Sequence, residues 1–274
     1  PIVQSTTFKY DTSEAMGKLF DLEASGYFYS RLQNPTNDYV AEKIAALEGG
    51  TAAMLTSSGQ AANFFAVFNI ASAGDHVVVS STIYGGTFNL FNVTMRKMGI
   101  DFTFVDPECS EEELNAAFRA NTKAVFGETI ANPALIVFDI ERFAKAAHNH
   151  GVPLIVDNTF ATPYLVRPIE YGADIVVHSA TKFIGGHGTT LGGIIVDSGN
   201  FDWEKSGRYP WISEPNPSYH GVSFTKAAGK AAFATYIRAI LLRDTGAAIS
   251  PFNAFLLLQG VETLSLRIER HVEN

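Results

Sequence analysis

The sequence of 274 residues predicts an α/β fold, with a mostly parallel sheet of about seven strands flanked by helices. Short runs rich in Val, Ile and Phe recur with helix-length segments between them, the pattern of strands joined by crossover helices. Several runs are apolar at successive positions, as in Leu154-Ile155-Val156 and Ile175-Val176-Val177, so both faces of those strands should be covered by helices. With 46% hydrophobic and 18% charged residues, the chain has the material for a large buried core.

Taken in order, the apolar runs place strands over residues 52–56, 76–80, 101–105, 124–128, 154–157, 175–178 and 193–196. A helix is expected over 141–149, with Asp139 before it, Phe143, Ala146 and Ala147 on one face, and Gly151 as a left-handed cap behind it. Pro153 then opens the next strand. Towards the end the character changes, and helices are expected over 230–242, 252–258 and 261–271, the middle one announced by Ser250 and Pro251 as cap and first residue. Val261, Leu264 and Ile268 form an apolar stripe that calls for a partner surface, which predicts a chain continuing past Asn274. No internal repeat or Pro/Ser linker marks an independent second domain.

Composition excludes several classes of function. A net charge of −8 without clustered Lys and Arg argues against a nucleic-acid partner. No apolar stretch is long enough for a membrane span, and Pro1 to Tyr10 lack the pattern of a secretory leader, so a soluble, cytoplasmic protein is expected. Cys109, the single cysteine, rules out an internal disulfide and sits among acidic residues that discourage a thiolate. His148, His150, His187 and His220 lack metal-ligand spacing, and no metal is expected. The glycines from Gly185 to Gly193 do not match a dinucleotide fingerprint.

In open α/β sheets ligands bind beyond the carboxyl ends of the strands, which directs attention to the residues following each run. Ser57-Ser58-Gly59-Gln60 follows the first strand and opens a helix, where Gly59 lets backbone amides approach an anion such as a phosphate; an ordinary tight turn is the alternative. Asp157 ends three buried aliphatics, a costly place for a carboxylate unless a cation pairs with it; a pyridinium nitrogen qualifies, and so does a helix cap or a salt bridge. Lys182 follows the next strand. If the chain is still extended there, Ser179 and Thr181 point to one side and their hydroxyls can join Gly59 around a phosphate. A lone Lys in such a place is ordinarily solvated, but a Schiff-base lysine, an aspartate for a ring nitrogen and a phosphate turn are together what a protein must supply to pyridoxal 5'-phosphate (PLP). Tyr84 suits stacking on a planar ring or capping the core. Asn132, before Pro133, suits donation to a ring hydroxyl or a plain turn. Tyr29 and Arg31, on one face if extended, offer a hydroxyl and a cation to a phosphate or form a surface pair.

Those residues resemble the Cys/Met-metabolism PLP-dependent enzymes, which share the fold of aspartate aminotransferase. The motifs are Tyr29-Ser30-Arg31 with Asn34-Pro35-Thr36, Ser58-Gly59, Tyr84-Gly85-Gly86-Thr87, Glu128 with Asn132-Pro133, Val156-Asp157-Asn158-Thr159-Phe160, and Ser179-Ala180-Thr181-Lys182. The resemblance implies a type I PLP-dependent large domain over 37–242, an arm over 1–36 reaching a neighbouring subunit, and helices over 243–274 leading towards a C-terminal domain that is absent or cut short. It implies that Lys182 anchors PLP, Asp157 meets the pyridine nitrogen, Tyr84 stacks on the ring and serves as acid/base, and Gly59, Gln60, Ser179 and Thr181 hold the phosphate. Tyr29 and Arg31 would reach the phosphate of the neighbour, in a homo-oligomer expected to be a tetramer.

Within the family, Phe183 to Gly193, Asp197 to Trp203, Glu214 to Gly221 and Leu241 to Glu273 resemble the sulfhydrylase branch that acts on O-acetylhomoserine. That implies γ-replacement of acetate by sulfide or methanethiol, giving homocysteine or methionine. A γ-elimination of the methionine γ-lyase or cystathionine γ-synthase kind is the rival, and a non-catalytic PLP-binding fragment the alternative of another class. The arginine that binds the substrate carboxylate in this family has no counterpart after Arg270, so the substrate site is expected to be incomplete.

Overall fold

A computed structural model describes residues 1–21 and 23–274. Strands β1 (Ala52–Thr56), β2 (His76–Ser80), β3 (Asp101–Val105), β4 (Thr122–Glu128), β5 (Leu154–Asp157), β6 (Ile175–Ser179) and β7 (Gly193–Asp197) form one sheet in the order β1-β7-β6-β5-β4-β2-β3. The pairs β2–β3, β2–β4, β4–β5 and β5–β6 are parallel, whereas β7 runs antiparallel to both β1 and β6. Thr56 and Ser179 both register with Gly193, so the carboxyl ends of β1 and β6 meet at one edge of the sheet with the start of β7 between them.

Alternation along the strands builds two cores. Val77, Val79, Phe126, Ile155, Val177 and Ile195 face one side, against α3 (Gly59–Phe68) and the helical segments after β7. Val78, Val125, Leu154, Val156, Val176 and Ile194 face the other, against α2 (Pro35–Glu48) and α6 (Ile140–Asn149). Both sides of the central strands are therefore dry, which is why those runs carry no polar residue until their ends. Ahead of α2 lies α1 (Ser13–Phe20); between α3 and α6 lie α4 (Gly85–Asn89) and α5 (Glu111–Ala116); α7 (Thr162–Leu165) follows β5. Side chains start these helices: Asn34 caps α2, Ser58 caps α3, and Asp139, which the sequence places before α6, caps it through Arg142 N at 3.0 Å. Gly151 adopts the left-handed conformation, with φ of 68°.

The segment after β7 departs from expectation. Following α8 (Pro210–Ser213) and α9 (Phe224–Ala228), the single helix expected over 230–242 is a composite: a 3-10 turn over Gly229–Ala231, α10 (Ala232–Tyr236), a wide π turn over Ile237–Leu242, and α11 (Arg243–Thr245). The π turn brings Ile237, Ile240, Leu241 and Leu242 all into the core, which a regular 3.6-residue period would not do. Ser250 caps α12 (Pro251–Glu262), which outlasts the expected 252–258, and a break at Thr263 separates it from α13 (Leu264–Glu273). Val261, Leu264 and Ile268 are already buried within this chain, where α13 packs beside α7 and α12. Their stripe therefore finds its partner surface within this chain.

Candidate active site

The carboxyl edge of the sheet carries a pocket lined by Ser58, Gly59, Gln60, Tyr84, Asn132, Asp157, Ser179, Thr181 and Lys182, drawn from five strand ends. It is also lined by Asn63, Glu128, Thr159, Phe160 and Leu191, which the sequence reading left without a role. Glu128 was findable, since it ends an apolar strand just as Asp157 does. The others show no such pattern.

Gly59 starts α3 at a close approach. A Cβ there would lie 2.5 Å from Ser179 Cβ and 2.8 Å from Ser179 Oγ, so a side chain would push the helix off β6. Gly193 repeats the device from the other side, where a Cβ would meet the Ser58 carbonyl at 2.0 Å. Two glycines thus let the α3 N-terminus, with its free N–H groups, sit beside the Ser179 hydroxyl. Ser179 is the last residue of β6, and the chain then turns: Lys182 N donates to Ser179 O at 3.1 Å and Gly185 N to Ala180 O at 2.8 Å. The extended chain assumed for Ser179 and Thr181 is therefore absent. Thr181 reaches the pocket through that turn, its Oγ1 held against Gly192, and Lys182 stands at the corner.

Asp157 is buried at the end of β5. Its Oδ1 accepts from the backbone N and hydroxyl of Thr159, and its Oδ2 from Asn63 Nδ2 at 3.4 Å. Burial pushes its carboxyl up from the usual range; the Thr159 hydroxyl and the charge of His178 oppose that push. Glu128 registers directly with Asp157 across the β4–β5 pair. Burial first, and then the Asp157 charge, lift Glu128 to about 8, while the Tyr84 N–H donates to its Oε2 at 2.6 Å and pulls the other way. Two buried carboxyls so placed resist being ionised together, and a cation between them would relieve that.

Asn63 also donates to Thr87 Oγ1 at 3.1 Å, and Thr87 Oγ1 donates to Gln60 Oε1 at 3.1 Å, a polar chain that fixes the Gln60 side chain at the pocket wall. The Tyr84 ring is 48% exposed and faces the opening. Tyr29 and Arg31 lie elsewhere. Tyr29 bridges to Thr7, and the chain then turns, so that Arg31 stacks over the Tyr29 ring at 5.2 Å; they are neighbours by a turn and not along an extended strand. Among the described residues no group of His, Cys, Asp and Glu is arranged to hold a metal ion, and no helix is long and apolar enough to cross a membrane.

The whole chain, residues 1–274, matches the family described as Cys/Met metabolism PLP-dependent enzyme. The chain belongs to this family. It is 54% identical over 276 residues to a homocysteine synthase of Schizosaccharomyces pombe, covering all of this chain and 64% of that protein. It is 50% identical over 278 residues to an O-acetyl-L-homoserine sulfhydrylase of Corynebacterium glutamicum, covering all of this chain and 63% of that one. It thus spans less than two thirds of the length of these curated relatives. A crystal structure from Campylobacter jejuni, described as an O-acetylhomoserine (thiol)-lyase with N'-pyridoxyl-lysine-5'-monophosphate, superposes with a TM-score of 0.96 at 39% identity, over 99% of this chain and 67% of that one.

A PLP-dependent family needs a site for a phosphate, a cationic ring nitrogen and an aldehyde, and the pocket fits all three. The glycine-tight approach of α3 to Ser179 leaves amide and hydroxyl donors for an anion. Asp157, buried and lifted by burial, is a carboxylate whose ionised form requires a cation beside it. Lys182 lines the same pocket and carries an amine of the kind an aldehyde needs.

Proposed function

We propose that this protein catalyses replacement at the γ-carbon of O-acetyl-L-homoserine, with sulfide or methanethiol displacing acetate to give L-homocysteine or L-methionine. The supporting observation is the convergence of Lys182, Asp157 and the Gly59 turn on one pocket, in a chain about half identical to a homocysteine synthase and an O-acetyl-L-homoserine sulfhydrylase.

PLP, when bound, supplies an electron sink for the negative charge left on the substrate carbon skeleton. The chain's own residues do the rest. Lys182 would hold the aldehyde end, and its amine would move the proton at the substrate α-carbon. Asp157 would keep the proton on the ring nitrogen, while Gly59, Gln60, Ser179 and Thr181 would bind the phosphate and Asn132 would donate to the ring hydroxyl. The Tyr84 ring covers the cofactor, and its hydroxyl moves the proton at the leaving and entering groups. Residues 37–242 form the cofactor domain in this reading, 243–274 lead towards a C-terminal domain, and the arm over 1–36 carries Tyr29 and Arg31 to the phosphate of a neighbouring subunit. That sharing calls for a homo-oligomer, which we read as a tetramer by likeness to the family, in a cytoplasmic protein.

The test uses the protein at its full natural length. Supplied with O-acetylhomoserine and sulfide, it should release homocysteine and acetate, and Lys182→Ala should lose both the activity and the yellow absorption of bound PLP. Release of 2-oxobutanoate and ammonia without homocysteine would replace this reading with γ-elimination.

A further inference from the structure

A second cluster of ionisable groups lies on the opposite face of the sheet from the pocket. Glu48, the last residue of α2, is wholly buried. Its Oε1 accepts from His178 Nε2 at 2.6 Å and from Asn158 Nδ2 at 3.0 Å. Those two donors are the chain neighbours of two pocket residues: Asn158 follows Asp157 and His178 precedes Ser179. Because successive side chains of extended chain point to opposite faces, each strand end shows one residue to the pocket and its neighbour to Glu48.

The two ends are also laced together directly. Asn158 N donates to Val177 O at 2.9 Å, and Ser179 N donates to Thr159 Oγ1 at 2.8 Å, the same hydroxyl that donates to Asp157. Asn158 Nδ2 donates a second time, to Val166 O at 2.9 Å, so the turn after β5 is tied down on its far side as well. Stability of the fold gives little reason for this arrangement. Glu48 Oε2, Asn158 Oδ1 and His178 Nδ1 have no hydrogen-bond partner among the described residues, and burying such atoms costs free energy. Apolar groups of the same volume would serve packing as well or better.

We propose that Glu48 is a positioning residue: through Asn158 and His178 it clamps the ends of β5 and β6 from behind, and so keeps Asp157 and Ser179 at their stations in the cofactor pocket. The inference rests on reading that pocket as the PLP site. It deepens that reading by tracing the aim of the ring-nitrogen and phosphate groups to a carboxylate that touches neither.

The test compares PLP affinity of the full-length apoprotein, the induced circular dichroism of the bound cofactor, and melting of the apo and PLP-loaded forms. Glu48→Ala and Asn158→Ala should each weaken PLP binding by about tenfold or more and diminish the cofactor's circular dichroism. Glu48→Gln, whose amide oxygen can accept both bonds, should stay within about threefold of the wild type. Variants that melt lower in both forms, yet keep wild-type affinity and circular dichroism, would reduce Glu48 to a packing role and overturn the proposal. If Glu48→Ala does not fold, Asn158→Ala decides by the same readings. A wild-type protein that binds no PLP would remove the pocket reading itself, and this inference with it.

Discussion

Two carboxyls end adjacent strands at the pocket, and their environments set how the protein responds to pH. Glu128 is lifted from 4.5 to about 8, so the folded apoprotein holds a proton there that the unfolded chain has lost. A group raised in this way stabilises the fold fully below its unfolded value, and the contribution disappears as pH rises through the folded one. Melting of the apoprotein should therefore fall between about pH 5 and about pH 9, and Glu128→Gln should flatten that fall by several degrees. A variant with an unchanged pH slope would show that Glu128 is not the proton's seat. Asp157 was legible in the sequence because a charge after three buried aliphatics has to be explained, and Glu128 ends β4 in the same way. Glu48 was not legible. It reads as an ordinary polar residue before the Gly49-Gly50 turn, and only folding brings it to His178, 130 positions along the chain.

At the scale of elements, the joint between α3 and β6 can be separated from helix propensity by two glycines. Gly59→Ala puts a methyl group against Ser179 and should cost about 1–3 kcal/mol, with weaker PLP binding as well. Gly17→Ala, within α1 and with open space around its Cβ, should instead be neutral or stabilising by about 0.5–1 kcal/mol. Urea unfolding of the two variants measures the contrast, and equal effects would deny that Gly59 is there for close approach. The central strands were the most readable elements for a related reason: dry on both faces, they had to be continuous apolar runs. Residues 52–56, 76–80, 101–105 and 154–157 match the observed strands at both ends, while β4, β6 and β7 each extend by one or two polar or charged residues that the apolar pattern does not mark. The helices after β7 were less readable, because a π turn breaks the regular period on which such reading depends. The extended backbone expected at Tyr29 and Arg31 failed for another reason, since the turn between them carries no Gly or Pro to announce it.

For the molecule as a whole, the last two helices belong to the core on which the site is built. Ile268 is 2% exposed, and α13 rests beside α7, directly after the strand that carries Asp157. Arg267 fastens the same helix to the loop after Lys182, donating to Phe183 O at 2.7 Å and Ile184 O at 3.2 Å. Ile268→Ala should cost about 2–4 kcal/mol in thermal or urea unfolding. A loss below about 1 kcal/mol would mean that α13 is only loosely docked.

The reversed strand β7 has a bearing on how the protein is made. In the sheet β1 hydrogen-bonds to β7 alone, and β7 begins at Gly193. A nascent chain that has already completed β1 and α3 therefore carries the Gly59 turn on a strand with no neighbour, and must wait through the synthesis of the central strands before it is joined to β6. The sheet joins the end of β1 to the end of β6 only after residues 193–197 have left the ribosome, so completion of the proposed cofactor pocket belongs to a late stage of the chain's birth.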